Sequence, residues 1–269
     1  MSYPDLPNDD DRSGSVLAWR DGAVAHLRFN RPHALNAIDV PMASAFRAAC
    51  AAIAADPQAR VVVLSGEGRA FMAGGDLAAM QKSPVETAQA LIAGMHGGLE
   101  ILAKLDAPVI ASLHGAVAGG GLGVAVACDL AIAAEGTLFS IAYPSVGASA
   151  DCGTTWGLPR AVGLRNALRI ALVAQPFDAA EALRYGLVNE VVPAAELHAR
   201  TQSWAQRLAL GAPLALGRLK HLLRTSDERS FSGQLSAEAE AFAACAATAD
   251  FSEGVAAFLE KRKPHFRGR

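Results

Sequence analysis

Charge is scarce in this chain of 269 residues: charged side chains make up 19% of it, hydrophobic ones 52%, and the formal net charge is −2. Such a balance supplies no basic field for nucleic acid or an anionic membrane surface, while leaving room for a local basic patch around a phosphorylated ligand. It is also apolar for a monomer, which points to apolar surface buried between subunits and so to an oligomer. Cysteine is sparse as well. Cys50, Cys128, Cys152 and Cys245 lie far apart, without the short pairings of zinc or redox sites, so we expect reduced thiols, a cytoplasmic protein and no metal centre. Residues 1–15 are acidic and rich in Pro, Asp and Ser. They lack the positive start and apolar stretch of a secretory signal and read as a disordered tail. Beyond that tail there is no low-complexity tract, and no repeat at a fixed period.

One long uncharged run is present, at residues 107–128. Its length would cross a bilayer. Pro108, His114 and the glycines Gly115, Gly119, Gly120, Gly121 and Gly123 break it into a β-branched start and a small-residue end, which fits a buried strand, a turn and a buried helix instead. Apolar and polar residues alternate over 24–29, the period of a half-buried strand. Further strands are predicted at 61–65, 109–113 and 130–133, separated by helical patterns at 40–55 and 85–105. Ser83-Pro84-Val85-Glu86 has the form of an N-cap, a first-turn proline and a capping-box glutamate. From about Ala194 the strand signals vanish, and 196–210, 213–223, 236–247 and 251–261 read as amphipathic helices. The expected class is therefore α/β, with a catalytic domain over 16–193 and a helical region over 194–269.

Two glycine-bearing turns follow predicted strands: Phe71-Met72-Ala73-Gly74-Gly75-Asp76 and His114-Gly115-Ala116-Val117-Ala118-Gly119-Gly120-Gly121. Each sets backbone N–H groups at the start of a helix, where they suit an anion or a developing oxyanion. Glycines serving only tight turns and close packing fit the same pattern. A nucleotide loop does not, because no Gly-Lys-Ser/Thr follows and the dinucleotide spacing and its acidic partner are missing.

Together with Asn30-Arg31-Pro32-His33-Ala34-Leu35-Asn36-Ala37 and the segment from Glu253 to Arg262, these turns resemble the enoyl-CoA hydratase/isomerase (crotonase) superfamily. The likeness runs from about Val16 to Arg269. It implies a crotonase-type spiral of ββα repeats, a C-terminal helical trimerisation region, and a homotrimer or dimer of trimers. It further implies an acyl-CoA thioester substrate with no separate cofactor, coenzyme A being part of the substrate. Gly75 and Gly120 would supply the oxyanion-hole amides, Ala34 and Ala73 would line the coenzyme A groove, and Phe258 and Lys261 would reach its nucleotide part, from a neighbouring subunit in some arrangements.

The two glutamates with which family hydratases handle water fall on Gly123 and Ser145. Neither can do a carboxylate's work, so two-glutamate hydration is not expected. Asp151 is a nearby carboxylate, and its position before Cys152-Gly153-Thr154 is that of a helix N-cap. Its segment also resembles the family's aspartate-using isomerases, among them the ring-epoxide isomerases of phenylacetate breakdown, in which an aspartate at this place moves substrate protons. His96 lies at the edge of the apolar face of Leu91, Ile92, Met95, Leu99 and Leu102, as many core-edge histidines do. With Asp151 it also matches the pair used by 4-chlorobenzoyl-CoA dehalogenases, where histidine activates water. Asp76 reads as a cap and His114 as a brace. Tyr143 and Trp156 fit either an acyl pocket or the core. The expected chemistry is an enoyl-CoA isomerase working through Asp151. A hydratase or dehalogenase-like hydrolase using His96, and a non-catalytic acyl-CoA binder, are the alternatives.

Overall fold

The computed structural model describes residues 13–269; apart from 13–15, the expected N-terminal tail lies outside the described residues. Among the described residues nine strands form two sheets: β1 (Val16–Asp21), β2 (Val24–Phe29), β3 (Val61–Gly66), β4 (Val109–Leu113), β5 (Ala116–Ala118), β6 (Leu130–Ala134), β7 (Leu138–Ser140), β8 (Phe177–Asp178) and β9 (Glu190–Val192). The larger sheet has the order β1-β2-β3-β4-β6-β9 and the smaller β5-β7-β8. Between and after them run α1 (Val40–Ala54), α2 (Leu77–Met80), α3 (Pro84–Lys104), α4 (Gly120–Ala127), α5 (Thr154–Val162), α6 (Leu164–Val173), α7 (Ala179–Tyr185), α8 (Leu197–Ala209), α9 (Pro213–Arg224), α10 (Phe231–Ala246) and α11 (Ala249–Leu259).

The chain winds as a spiral. β4 enters the large sheet, β5 the small one, and α4 closes the turn; β6, β7 and α5 repeat the move. The β3 unit does so in miniature, since Met72 bridges Val117 of β5 before α2 and α3 begin. Apart from the β1–β2 hairpin, the large sheet is parallel. Its central strands are apolar on both faces, as a sheet covered on two sides requires. Val62, Leu64, Val109 and Ala111 join the main core with α1 and α3. Val61, Val63 and Ile110 point the other way, under Ala205 and Trp204 of α8.

The sequence-derived strands at 24–29 and 109–113 coincide with β2 and β4. The uncharged run 107–128 divides into β4, β5 and α4, and no single helix among the described residues is long and apolar enough to cross a membrane. Two expectations need correction. Ser83 precedes α3, but its side chain makes no cap bond; only its carbonyl accepts, from Thr87 N–H at 2.9 Å. α11 ends at Leu259, so Lys261 stands outside it with a positive φ of 54°.

Close packing of α3 on α1 brings the 95–96 region to the sheet's end. A methyl group on Gly94 would meet Ala43 at 2.8 Å, and one on Gly98 would meet Phe46 at 2.5 Å, so only glycine permits this approach. α9 is tied to the spiral by a buried ionic cluster. The Asp129 carboxylate accepts from Lys220 Nζ (2.9 Å), Arg224 Nη1 (2.8 Å) and the Val109 amide (2.8 Å). Lys220 also donates to the carbonyls of Leu102 and Ala107, so the buried ammonium is fully surrounded by acceptors.

His26 on β2 is 5% exposed and stacks on Trp19 with ring centroids 4.8 Å apart. Burial, aided by Arg28 and His198 and opposed by Asp21, lowers its pKa to about 4. Because the folded state resists a proton that the unfolded chain accepts near the ordinary histidine value, stability is full above that value and falls as pH drops towards 4. The loss expected from this group is about 3 kcal/mol. Urea unfolding at pH 7.5 and 4.5 should show His26→Phe losing less stability between the two than the parent; equal losses would contradict the assignment.

Candidate active site

The first glycine turn is held by the segment before it. Asn36 is completely buried, and its amide donates to the carbonyls of Glu67 (2.9 Å), Ala70 (2.8 Å) and Phe71 (3.2 Å), while its Oδ1 accepts from the Arg31 amide. The Arg31 guanidinium bridges Asp39 (3.2 Å) and Asp76 (3.1 Å). Both aspartates cap helices, Asp39 taking the Met42 amide of α1 and Asp76 the Ala79 amide of α2. Burial is the largest single influence on the Asp76 carboxyl and raises it, but the Ala79 and Ala78 amides and the Arg31 guanidinium together outweigh it and hold the group below the usual range, as befits a cap. Residues 34–38 then run beside 73–76: Ala73 N–H donates to Leu35 (3.0 Å), Ile38 N–H to Gly74 (2.8 Å) and Asp76 N–H to Ile38 (2.9 Å). This strip carries both Ala34 and Ala73. Arg31 and Asn36 lie within the Asn30–Ala37 motif, but nothing in its sequence signals that they brace the turn.

The second turn is zipped onto the first. Phe71 N–H donates to His114 (2.8 Å), Met72 N–H to Ala116 (3.1 Å) and Ala118 N–H back to Met72 (2.9 Å). Gly119, at φ 51° and ψ −122°, makes the reversal into α4, a conformation that a side chain would strain. A methyl group on Gly119 would lie 3.4 Å from Gly74 Cα, and one on Gly74 only 3.7 Å from Gly120 N. The Gly75 and Gly120 amides thus come together from turns about 45 residues apart in the chain. Neither N–H donates to any group among the described residues. His114, expected as a brace, donates from Nε2 to the Gly68 carbonyl at 2.9 Å.

Asp151 stands beside this pair: a methyl group on Gly120 would be 3.7 Å from its Oδ1. It is not an N-cap, which corrects the local reading. α5 starts at Thr154 after Gly153 (φ 73°), with no side-chain cap, and the Asp151 carboxylate accepts a hydrogen bond from the Tyr143 hydroxyl instead. Thr154 Oγ1 donates to the Asp151 carbonyl at 2.7 Å. His96, reaching over from α3, accepts the Cys152 amide on Nε2 at 3.1 Å. An amide can only donate, so that nitrogen's lone pair is occupied and a neutral ring carries its proton on Nδ1. The Cys152 thiol is pushed well up, first by burial and then by Asp151.

The hydratase positions are empty of carboxylate for different reasons. Ser145 is exposed in the 3-10 turn Tyr143–Val146. Gly123 is sealed: a methyl group there would meet Cys152 Cβ at 2.6 Å and Thr154 Oγ1 at 2.7 Å. Trp156 lies on the outer side of α5, exposed, with the Arg160 guanidinium 4.0 Å from its ring centre, so it is neither core nor pocket lining. Tyr143 borders a cavity of about 470 Å³ walled by Ile141, Ala150, Leu158 and Leu168, the apolar space adjoining the Asp151 turn. Phe258 and Lys261 are not brought to the amide pair within one chain. α11 packs on α10, and Phe258 edges a separate cavity of about 500 Å³ with Phe251 and Phe266.

The sequence and the spiral fold are matched by known proteins. The family model described as enoyl-CoA hydratase/isomerase matches residues 20–269. The 1,2-epoxyphenylacetyl-CoA isomerase of Escherichia coli is 33% identical over 258 residues, covering 94% of this chain and 98% of that protein. The crotonyl-CoA hydratase of Syntrophomonas wolfei is 33% identical over 253 residues, covering 94% and 97%. Among solved structures, an enoyl-CoA hydratase from Polaromonas superposes with a TM-score of 0.89 at 32% identity, covering 94% of this chain and 100% of that one. That from Bacillus anthracis gives 0.91 at 28%, covering 95% and 100%. The chain therefore belongs to the enoyl-CoA hydratase/isomerase family and is an enzyme of crotonase fold.

The sealed space at Gly123 has a measurable consequence. Gly123→Ala should lower stability by about 1–3 kcal/mol through overpacking against Cys152 and Thr154. Chemical denaturation checks this; an unchanged midpoint would show that the Asp151 turn yields freely.

Proposed function

We propose that this enzyme is an enoyl-CoA isomerase that shifts a double bond through a thioester enolate. The carrying observation is the position of the Asp151 carboxylate beside the Gly120 amide. The Gly75 and Gly120 N–H groups hold the thioester oxygen as it gains charge, an interaction for which each donor is worth about 3 kcal/mol in comparable sites. With a 3-enoyl thioester, Asp151 takes a proton from C2. The electron pair of the broken C–H bond moves into the dienolate, and the carboxylic acid returns the proton to C4 as the double bond settles between C2 and C3. Atoms and electrons balance without an added cofactor, coenzyme A being part of the substrate.

Hydration is disfavoured because no carboxylate stands at Gly123 or Ser145. Hydrolysis through His96 is disfavoured because Nε2 is committed to the Cys152 amide. The apolar cavity next to Tyr143 supports an apolar acyl group. Exposed Phe231, Phe242, Phe258 and Leu259 on the C-terminal helices support assembly as a homotrimer or dimer of trimers. In such an assembly Phe258 and Lys261 of one copy would complete the coenzyme A site of another. Four free cysteines suit a reducing cytoplasm.

The test is conversion of 3-enoyl-CoA to the conjugated thioester, followed by absorbance across a chain-length panel. Asp151→Asn should lose about 10²- to 10⁴-fold in kcat, while His96→Gln, which retains an acceptor for the Cys152 amide, should stay within a few-fold of the parent. Full turnover by Asp151→Asn would remove Asp151 from the proton path. Equal damage from both variants would favour the His96-dependent hydrolase, as would halide release from a 4-chlorobenzoyl thioester.

A further inference from the structure

The base of such a reaction must be ionised and aimed before the substrate arrives, and the structure shows what aims it. Tyr143 sits at the head of a tight turn: Ala142 before it has φ 56°, Gly147 after it φ 70°, and the Tyr143 carbonyl accepts from Ala148 N–H at 3.1 Å. With its backbone fixed and its ring half-buried against the apolar cavity, the side chain has little freedom. Its hydroxyl donates to Oδ1 of Asp151, the same oxygen that lies nearest the Gly120 turn.

We propose that Tyr143 is the positioning residue of the catalytic aspartate, its hydroxyl fixing the carboxylate against the oxyanion turn. This rests on the isomerase reading. A phenylalanine would fill the same apolar space, so the hydroxyl is what distinguishes positioning from packing. Burial, and then Asp151 itself, push the phenol well above its ordinary range, so it remains a donor wherever the enzyme works. The other titratable groups facing the Asp151 turn are the Cys152 thiol, itself pushed up, and His96, which contacts the Cys152 amide rather than the carboxylate.

The bond also acts on the return of the proton. An O–H donor binds a carboxylate more strongly than a carboxylic acid. Tyr143 therefore relaxes its hold as Asp151 takes up the proton and regains it as C4 is protonated. A carboxylate has about four acceptor positions, so one bond from Tyr143 orients the group without exhausting its capacity.

The experiment is a pH–rate profile of Tyr143→Phe beside the parent enzyme, with thermal unfolding as the check on folding. Loss of a hydrogen bond to a charged group should lower kcat about ten- to hundredfold, with KM nearly unchanged. The acid limb of kcat should move up by about one pH unit, because the carboxylate has lost a donor that favoured its charged form. A profile superimposable on the parent's, or a loss confined to KM, would overturn the assignment. A second variant, with 3-fluorotyrosine at 143, keeps the ring and sharpens the donor, and should move the same limb down. Carboxyl NMR of aspartate-labelled protein separates this inference from the isomerase reading. The resonance lost in Asp151→Asn should titrate higher in Tyr143→Phe even if no 3-enoyl thioester is turned over, and an unmoved midpoint would refute the positioning role independently.

Discussion

Everything in the site depends on the contact between two backbone turns that carry no side chains where they meet. Gly74 and Gly119 come so close that a methyl group on either would touch the other, and the hydrogen bonds of Met72 to both Ala116 and Ala118 hold them there. This is how a protein presents two N–H groups to one point: the donors belong to different strands' ends, and neither can drift without breaking the small sheet that Met72 bridges through Val117. Arg31 and Asn36 stiffen the first turn from outside, and the helix dipole of α4 stands behind the second. The two turns are thus held in place before any ligand arrives, the condition under which fixed donors act most strongly on charge.

Beside this fixed pair lies the segment 151–152. Here three elements converge on one short segment: α3 through His96, the 143–146 turn through Tyr143, and the start of α5 through Thr154. Two of these bonds hold the backbone of 151–152 and one holds the carboxylate. An aspartate has a shorter reach than a glutamate, so where its carboxylate stands depends closely on its backbone, and a segment pinned at that many points fixes that place.

Much of the architecture was legible because buried parallel strands and amphipathic helices leave periodic signals. The 24–29 and 109–113 strands and the helical C-terminal third are cases in point. The strand β1 carries a weaker signal: Asp21 still pairs with Val24, and the hairpin closes through the two-residue loop Gly22-Ala23, with Gly22 at φ 57°. Strands β5, β7 and β8 have two or three residues each, too few to show a period. At the site, the amide glycines and Asp151 could be named from motifs, whereas the company that Asp151 keeps could not. Local grammar made it a helix cap; its real partner is a tyrosine eight residues earlier, and the histidine that holds its neighbour is 56 residues from that neighbour. Such pairings are set by how α3 crosses α1, and the glycines that allow that crossing carry no periodic signal of their own.

The ionic cluster at Asp129 has a mechanical meaning. Asp129 ties α9 to the first residue of β4, and Arg224 of α9 also grips the Ala127 carbonyl at the end of α4. Helix α9 is thereby clamped to both ends of the β4–β5–α4 unit, the one that carries Gly120. Leu219 and Leu223 lie exposed on that same helix. Anything seated on them would bear upon the Gly120 turn through a strut with few compliant joints, so that a load on the outer face of α9 and the placement of that turn share one path.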